Sequence, residues 1–206
     1  MILQLREVAV QRMIRPLSMA LLCCGAATAW AQQASNIRGS VTAFDGRTIA
    51  VATREGAAVE VTLPESVNVS GTQAITLADL QPGTVLGVTT VMRADGQRVA
   101  IDVRPIPPTA RLGLSPFDLR PESTMTNASL EGQVVSSIGT ELILNHGDGN
   151  VKVLVPAGTP MSRAIPGTRA DIKPGETIFI AARRDAEGKL TAVRMQVSTN
   201  GVKPTQ

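Results

Sequence analysis

Two short stretches, one in each half of the chain, carry the same signal. Ala78–Gly83 reads Ala-Asp-Leu-Gln-Pro-Gly, and Ala170–Gly175 reads Ala-Asp-Ile-Lys-Pro-Gly. An apolar run follows each, Val85–Val91 in one case and Thr177–Ala182 in the other. Pro cannot donate a backbone hydrogen bond and Gly tolerates positive φ, so each pair ends whatever precedes it. The run behind it reads as a buried strand. Each copy is therefore a turn that launches a core strand.

The flanks match as well. In the first half, Ile37–Ala43, Arg47–Thr53 and Ala57–Leu63 alternate apolar and polar residues, separated by turns at Asp45-Gly46 and Glu55-Gly56, and Pro64 ends the series. After the signal come a strand over 84–92, a turn at Asp95-Gly96 and a strand over 98–104 with Val99, Ile101 and Val103 expected inward. In the second half Leu130, Gly132 and Val134 line up with Ile37, Gly39 and Val41. Leu142 and Leu144 line up with Ile49 and Val51, Val153 and Pro156 with Val61 and Pro64, and Ala192 with Ala100. The offset is about 93 and then 92, an ordered series that argues for duplication. Five strands per unit, with a longer connection between the third and fourth, predict an all-β protein. Its architecture would be two tandem small five-stranded barrels like the oligonucleotide/oligosaccharide-binding fold. A pair of twisted half-open sheets is the alternative. Gly, Pro, Ser and Thr in 65–76 and 157–169 leave room for at most one helical turn, near Leu77–Leu80.

The first 31 residues read as a secretory signal peptide. Arg12 and Arg15 form a basic start, Leu17–Ala29 is apolar, and Ala29-Trp30-Ala31 is a cleavage signal before Gln32. Met13–Ala31 is a complete leader by itself. Leu22 before Cys23 is not the small residue that lipoprotein processing needs. Removing the leader takes Arg6, Arg12, Arg15 and Glu7 with it, lowering the formal net charge from +3 to about +1. No polyanionic partner is implied. Cys23, Cys24 and Trp30 leave too, so disulfide and thiol chemistry are excluded from the remainder. The predicted address is periplasmic or secreted.

The predicted division is a leader over 1–31, a first barrel unit over 32–104, a connecting strap over 105–129, a second barrel unit over 130–198 and a tail over 199–206, expected to fray. Pro105, Pro107, Pro108, Pro116 and Pro121 exclude regular structure from most of the strap. Its Leu112, Leu114, Phe117 and Leu119 predict an ordered segment packed across one or both barrels. Only 2% of residues are aromatic, so each core is aliphatic and thin, and the strap would supply missing burial.

The unit pattern, with Ala-Asp-Leu-x-Pro-Gly ahead of its fourth strand, resembles the exported bacterial domain of unknown function 5666. The join over Pro116–Ala128 is similar to that in short exported proteins with two such units, a group often labelled metal ABC transporter permease. No apolar span of bilayer length follows residue 31, so the permease label does not fit this sequence. The resemblance implies a fold and an address and carries no catalytic residues.

His146 is the only histidine and, with Asp148, lies in a polar turn. That is too few ligands for zinc, and the Asp148-Gly149-Asn150 piece lacks the bidentate Glu of a calcium loop. No catalytic triad can be assembled around it. Asp79 and Asp171 recur, with the expected role of accepting backbone N–H bonds in the turn before Pro-Gly. Phe44, Phe117 and Phe179 are too few and too scattered for a base-stacking platform, and Arg183, Arg184 and Lys189 read as a solvated hairpin edge, so nucleic acid is not the expected partner. Asn127-Ala-Ser129 matches a glycosylation pattern irrelevant to a bacterial-type leader. No catalytic, cofactor or metal residue is assigned. The expected function is a non-catalytic binding or scaffolding module for an envelope partner, a glycan or a small solute. The alternative is an accessory component of metal or solute transport.

Overall fold

The computed structural model describes residues 33–205; the cleavage expected at Ala29 and Ala31 lies outside the described residues. The first repeat contributes β1 (Gln33–Phe44), β2 (Thr48–Thr53), β3 (Ala58–Thr62), β4 (Val69–Ala74), a 3-10 turn at Leu77–Asp79, β5 (Val85–Met92) and β6 (Arg98–Pro105). The joining segment holds β7 (Gly113–Pro116). The second repeat contributes β8 (Thr124–Ser136), β9 (Gly139–Asn145), β10 (Asn150–Val155), β11 (Ser162–Pro166), a 3-10 turn at Arg169–Asp171, β12 (Thr177–Arg184) and β13 (Leu190–Val197).

These strands close into two five-stranded barrels. In one, β1, β2 and β3 form an antiparallel meander, β3 meets β13 in parallel at Val61 and Leu190, β13 pairs with β12, and β12 returns to β1. In the other, β8, β9 and β10 form the meander, β10 meets β6 in parallel at Leu154 and Val99, β6 pairs with β5, and β5 returns to β8. Each barrel thus takes its first three strands from one repeat and its last two from the other. The units expected over 32–104 and 130–198 are the repeats of the sequence, and neither closes a barrel with its own strands. The reason is physical: alternation and turn residues specify that a strand pairs on one face, and both repeats carry the same alternation. The connections over 64–84 and 156–176 carry the chain from one barrel to the other and back.

The exchange is centred on β4 and β11. They pair antiparallel, with Thr72 opposite Ala164. Aligned on Pro64 and Pro156, these two positions are equivalent, so a pseudo-two-fold axis passes between them, as in an isologous swapped dimer fused into one chain. The mates of this symmetry follow: β4 meets β13 in parallel at Val69 and Met195, and Met161 meets Val103 in parallel. Crossing backbones come close here. A Cβ on Gly167 would sit 2.7 Å from the Gly71 nitrogen and 3.0 Å from the Ser70 carbonyl carbon, which only glycine permits.

The structure also realigns the repeats. The Gly83 amide donates to the Leu130 carbonyl at 2.7 Å, and its counterpart Gly175 donates to Val41 at 2.9 Å. A bulge follows each acceptor, between Val41 and Ala43 and between Leu130 and Gly132. Leu130 therefore corresponds to Val41 and not to Ile37. A slip of four leaves the alternation unchanged, so the pattern could not detect it. Val41 and its partner Val51 are ten positions apart, but Leu130 and its partner Leu144 are fourteen positions apart. The β8–β9 hairpin is the longer by that difference and projects past the barrel.

Bulges correct the inward set of β6 as well. Thr89 pairs with Asp102 and Thr90 with Ala100, leaving Ile101 as the extra residue. Parity changes there, so Ala100 and Val103 enter the core while Val99 and Ile101 do not. Val193 is the matching extra residue of β13, between Ala192 and Arg194. One core gathers Ile37, Val41, Ile49, Val61, Leu63, Ile178, Ile180, Met195 and others, plugged from below by Ile172. The other gathers Leu86, Val88, Leu130, Leu142, Leu144 and Val153, plugged by Leu80. The plugs follow the two 3-10 turns. Asp79 accepts from the Thr76 amide at 2.7 Å and Asp171 from the Thr168 amide at 2.7 Å, the turn-holding role expected of both carboxylates.

The joining segment links β6 to β8 within one barrel, and β8 already begins at Thr124, inside the span assigned to the strap. β7 pairs with β8, and buried Ser123 donates to the Phe117 carbonyl at 2.8 Å. Its Phe117 and Leu119 are half-buried and Leu114 is exposed. The tail does not fray through 205: Pro204 is buried, the Thr205 carbonyl accepts from Arg104 at 3.1 Å, and its hydroxyl meets that of Ser162 at 2.9 Å.

Candidate functional site

Outward-facing residues of the two barrels meet along the seam. On one wall Arg38, Phe179 and Gln196 stand in a cross-strand row. On the other, Met125, Thr89 and Asp102 do the same. The strap lays Phe117 between them. The result is a stack in which guanidinium groups and rings alternate. Arg104 lies 5.9 Å from the Phe117 centroid, Arg38 lies 5.3 Å from Phe117 and 5.4 Å from Phe179, and Arg194 lies 5.2 Å from Phe179. Each contact falls within cation–π range. Arg38, only 8% exposed, donates to Asp118 of the strap at 2.8 Å, and the Asn36 amide donates to both Asp118 oxygens at 3.1 Å. Burial pushes the Asp118 carboxyl up, but the bond and charge of Arg38 outweigh it and hold the group below the usual carboxylate range.

Beneath this stack lies a buried ion pair. Nη1 of Arg104 donates to Oδ1 of Asp102 at 2.5 Å and to the Thr205 carbonyl, and Nη2 meets the Met125 sulfur at 3.3 Å. Asp102 is 2% exposed. Burial pushes its carboxyl up, against the pull of Arg104, the Thr89 hydroxyl and Arg38. Burial likewise pulls the Arg104 guanidinium down. The Thr89 hydroxyl lies near enough to favour the carboxylate but outside hydrogen-bonding geometry, so Oδ2 of Asp102 stays without a hydrogen-bond partner among the described residues. At the equivalent positions the other barrel carries Arg194 and Gln196, so the ion pair is specific to one side of the pseudo-symmetry.

Next to the pair a cleft of about 300 Å³ opens between the barrels, the strap and the tail. Asp102 lies at its floor, Ile101, Leu119 and Pro204 form its walls, and the exposed Arg54, Arg120 and Lys203 stand round its mouth. A second, more open groove of about 580 Å³ lies beside the long hairpin, lined by Ile75, Leu77, Val135, Ile138, Val155 and Met161 among others. Val135 and Ile138 are exposed there, at 83% and 63%, and Val134 is exposed on the same hairpin.

Of the residues singled out in the sequence, Phe117 and Phe179 are brought together through Arg38, while Phe44 packs on the aliphatic core of its own barrel. His146 sits in the β9–β10 turn, its amide donating to the Gly149 carbonyl at 3.0 Å, and Asp148 is exposed beside it. Arg183, Arg184 and Lys189 are an exposed hairpin edge. Among the described residues no three His, Cys, Asp or Glu side chains are grouped to hold a metal ion, and no helix is long and apolar enough to cross a membrane. Sequence reasoning missed Arg38, Asp102, Arg104 and Arg194. The only trace was charge inside apolar strands, which reads as a solvated outer face until a second barrel covers it. No protein-family model matches the chain, and comparison with curated proteins and with solved structures finds no match.

Proposed function

We propose that the protein is an exported, non-catalytic β-barrel binding module of the bacterial envelope, working in the periplasm and gripping a protein partner with its long hairpin. One observation carries this reading: the β8–β9 hairpin outgrows its pseudo-symmetric counterpart, and the added length is uncharged from Gly132 to Thr140 and exposes Val134, Val135 and Ile138. Barrel closure does not need the extension, because the other barrel closes without it. The hairpin between the first two strands is also a place where small five-stranded barrels meet ligands. Glu131 and Glu141 flank the apolar tip, so the complementary surface is an apolar groove with a basic rim. The export half of the reading rests on the leader. The non-catalytic half rests on the charges of the seam, Arg104 on Asp102 and Arg38 on Asp118, which are paired with each other. The alternative, an accessory role in transport, draws support on the solute side from the cationic cleft.

A photoreactive side chain at Ile138, expressed in the native host, tests the proposal. The expected outcome is one envelope-protein adduct that Val135→Asp abolishes while the melting temperature stays unchanged. An adduct no stronger than from exposed Glu187, or a chain recovered in the cytoplasm with its leader intact, overturns it.

A further inference from the structure

Unspent positive charge collects at the cleft between the barrels. Arg54 lies in the turn after β2, Arg120 belongs to the strap and Lys203 to the tail, and the fold brings these three distant segments to one mouth. None of the three side chains has a hydrogen-bond or ion-pair partner among the described residues. The chain after the leader carries a net charge of only about +1, so such convergence is not the average surface. Below them, Oδ2 of Asp102 is buried and makes no hydrogen bond among the described residues, the Thr89 hydroxyl beside it lying outside bonding geometry. A buried acceptor left unmet costs free energy that a ligand donor can recover.

We infer that this cleft binds a small hydroxy-carboxylate of sugar-acid size, its carboxylate among Arg54, Arg120 and Lys203 and a hydroxyl donated to Asp102. The inference is independent of the hairpin reading. Each part of the lining selects one part of the ligand. The cations demand an anion, and guanidinium forks suit a planar carboxylate. Inorganic sulfate supplies charge but brings only acceptors to a floor that is itself an acceptor. An uncharged sugar supplies the hydroxyl but leaves the rim unsatisfied. Ile101, Leu119 and Pro204 provide apolar walls for the C–H face of a ring. The volume of about 300 Å³ stands at the small end of ligand pockets and suits one ring rather than a polymer.

Calorimetric titration of the leader-free protein with D-glucuronate, D-glucose and inorganic sulfate tests this at low salt. Glucuronate is expected to bind at least about tenfold more tightly than either of the others. Arg120→Ala and Lys203→Ala, both at exposed positions, are expected to weaken it by about tenfold each, while Arg183→Ala on the distant hairpin leaves it unchanged. Methyl shifts of Leu119 should move with glucuronate and return in the Arg120→Ala variant. Sulfate binding as tightly as glucuronate, equal affinity in all three variants, or no heat and no Leu119 shift at about 10 mM glucuronate overturns the inference.

Discussion

Phe117 and the Asp102–Arg104 pair show how differently single residues weigh once the seam is known. Phe117 is half-buried, so the full cost of emptying a core aromatic does not apply; what its removal forfeits is two guanidinium contacts and part of a ring's burial. Phe117→Ala should cost about 1–3 kcal/mol, read from chemical unfolding, and most of that should vanish in a background that already lacks Arg38. Asp102→Ala should cost about 3–5 kcal/mol, because it removes the acceptor together with the charge and leaves the Arg104 guanidinium buried without its partner. Adding Arg104→Gln, which copies the Gln196 of the other barrel, should recover part of the loss. The two seam carboxylates have opposite pH signatures. The fold holds the Asp102 proton more tightly than the unfolded chain does, so this group's contribution is largest below its unfolded value and is lost as pH rises through its folded value. Asp118 is held low, so its contribution is present above its unfolded value and is lost as pH falls through its folded value. Unfolding followed across about pH 3–8 should show Asp118→Asn flattening the acid limb and Asp102→Asn flattening the limb above it.

At the scale of the element, the exchange depends on how closely β4 and β11 approach. A methyl on Gly167 meets backbone of the first repeat, which cannot move aside as a side chain can. Gly167→Ala should therefore lower stability by about 1–3 kcal/mol and raise amide exchange across β4 and β11. Gly132→Ala, at a position where an added Cβ meets nothing within 4 Å, should be silent in the same assay. Both glycines look alike in the sequence, as one more turn or bulge residue. Only the path of the other repeat separates them.

The interleaving of the two repeats makes the whole molecule one cooperative unit. Neither barrel can melt while the other stands, since each lends two strands to its neighbour. Thermal unfolding should show a single transition with agreeing calorimetric and van't Hoff enthalpies. Fragments 33–107 and 108–205 each hold three strands of one barrel and two of the other, so each alone should lack stable structure or pair with a second copy of itself. Mixed, they should form a folded one-to-one complex, visible by size-exclusion chromatography and circular dichroism. Two independent transitions, or a fragment that folds as a monomer, would contradict the exchanged topology.

Local chemistry determined much of this protein without help from the rest of the chain. The Asp-Gly and Pro-Gly turns, the alternating aliphatics and the twice-written Ala-Asp-x-x-Pro-Gly signal specify strands, their order and two aliphatic barrels, because these depend on a residue and its near neighbours. Three things they left open. Alternation is blind to even slips, so Leu130 could stand for Ile37 or Val41 and the long hairpin stayed hidden. A bulge at Ile101 reverses inside and outside at no visible cost to the pattern. Identical repeats can pair within or between themselves, and connections of this length permit both. The cationic cleft and the arginine–phenylalanine stack exist only because the strands pair between repeats. Arg38, Arg54, Asp102, Phe117, Phe179 and Lys203 come from six separate segments, and what they do together was decided by the tertiary structure, through which faces it buries against each other.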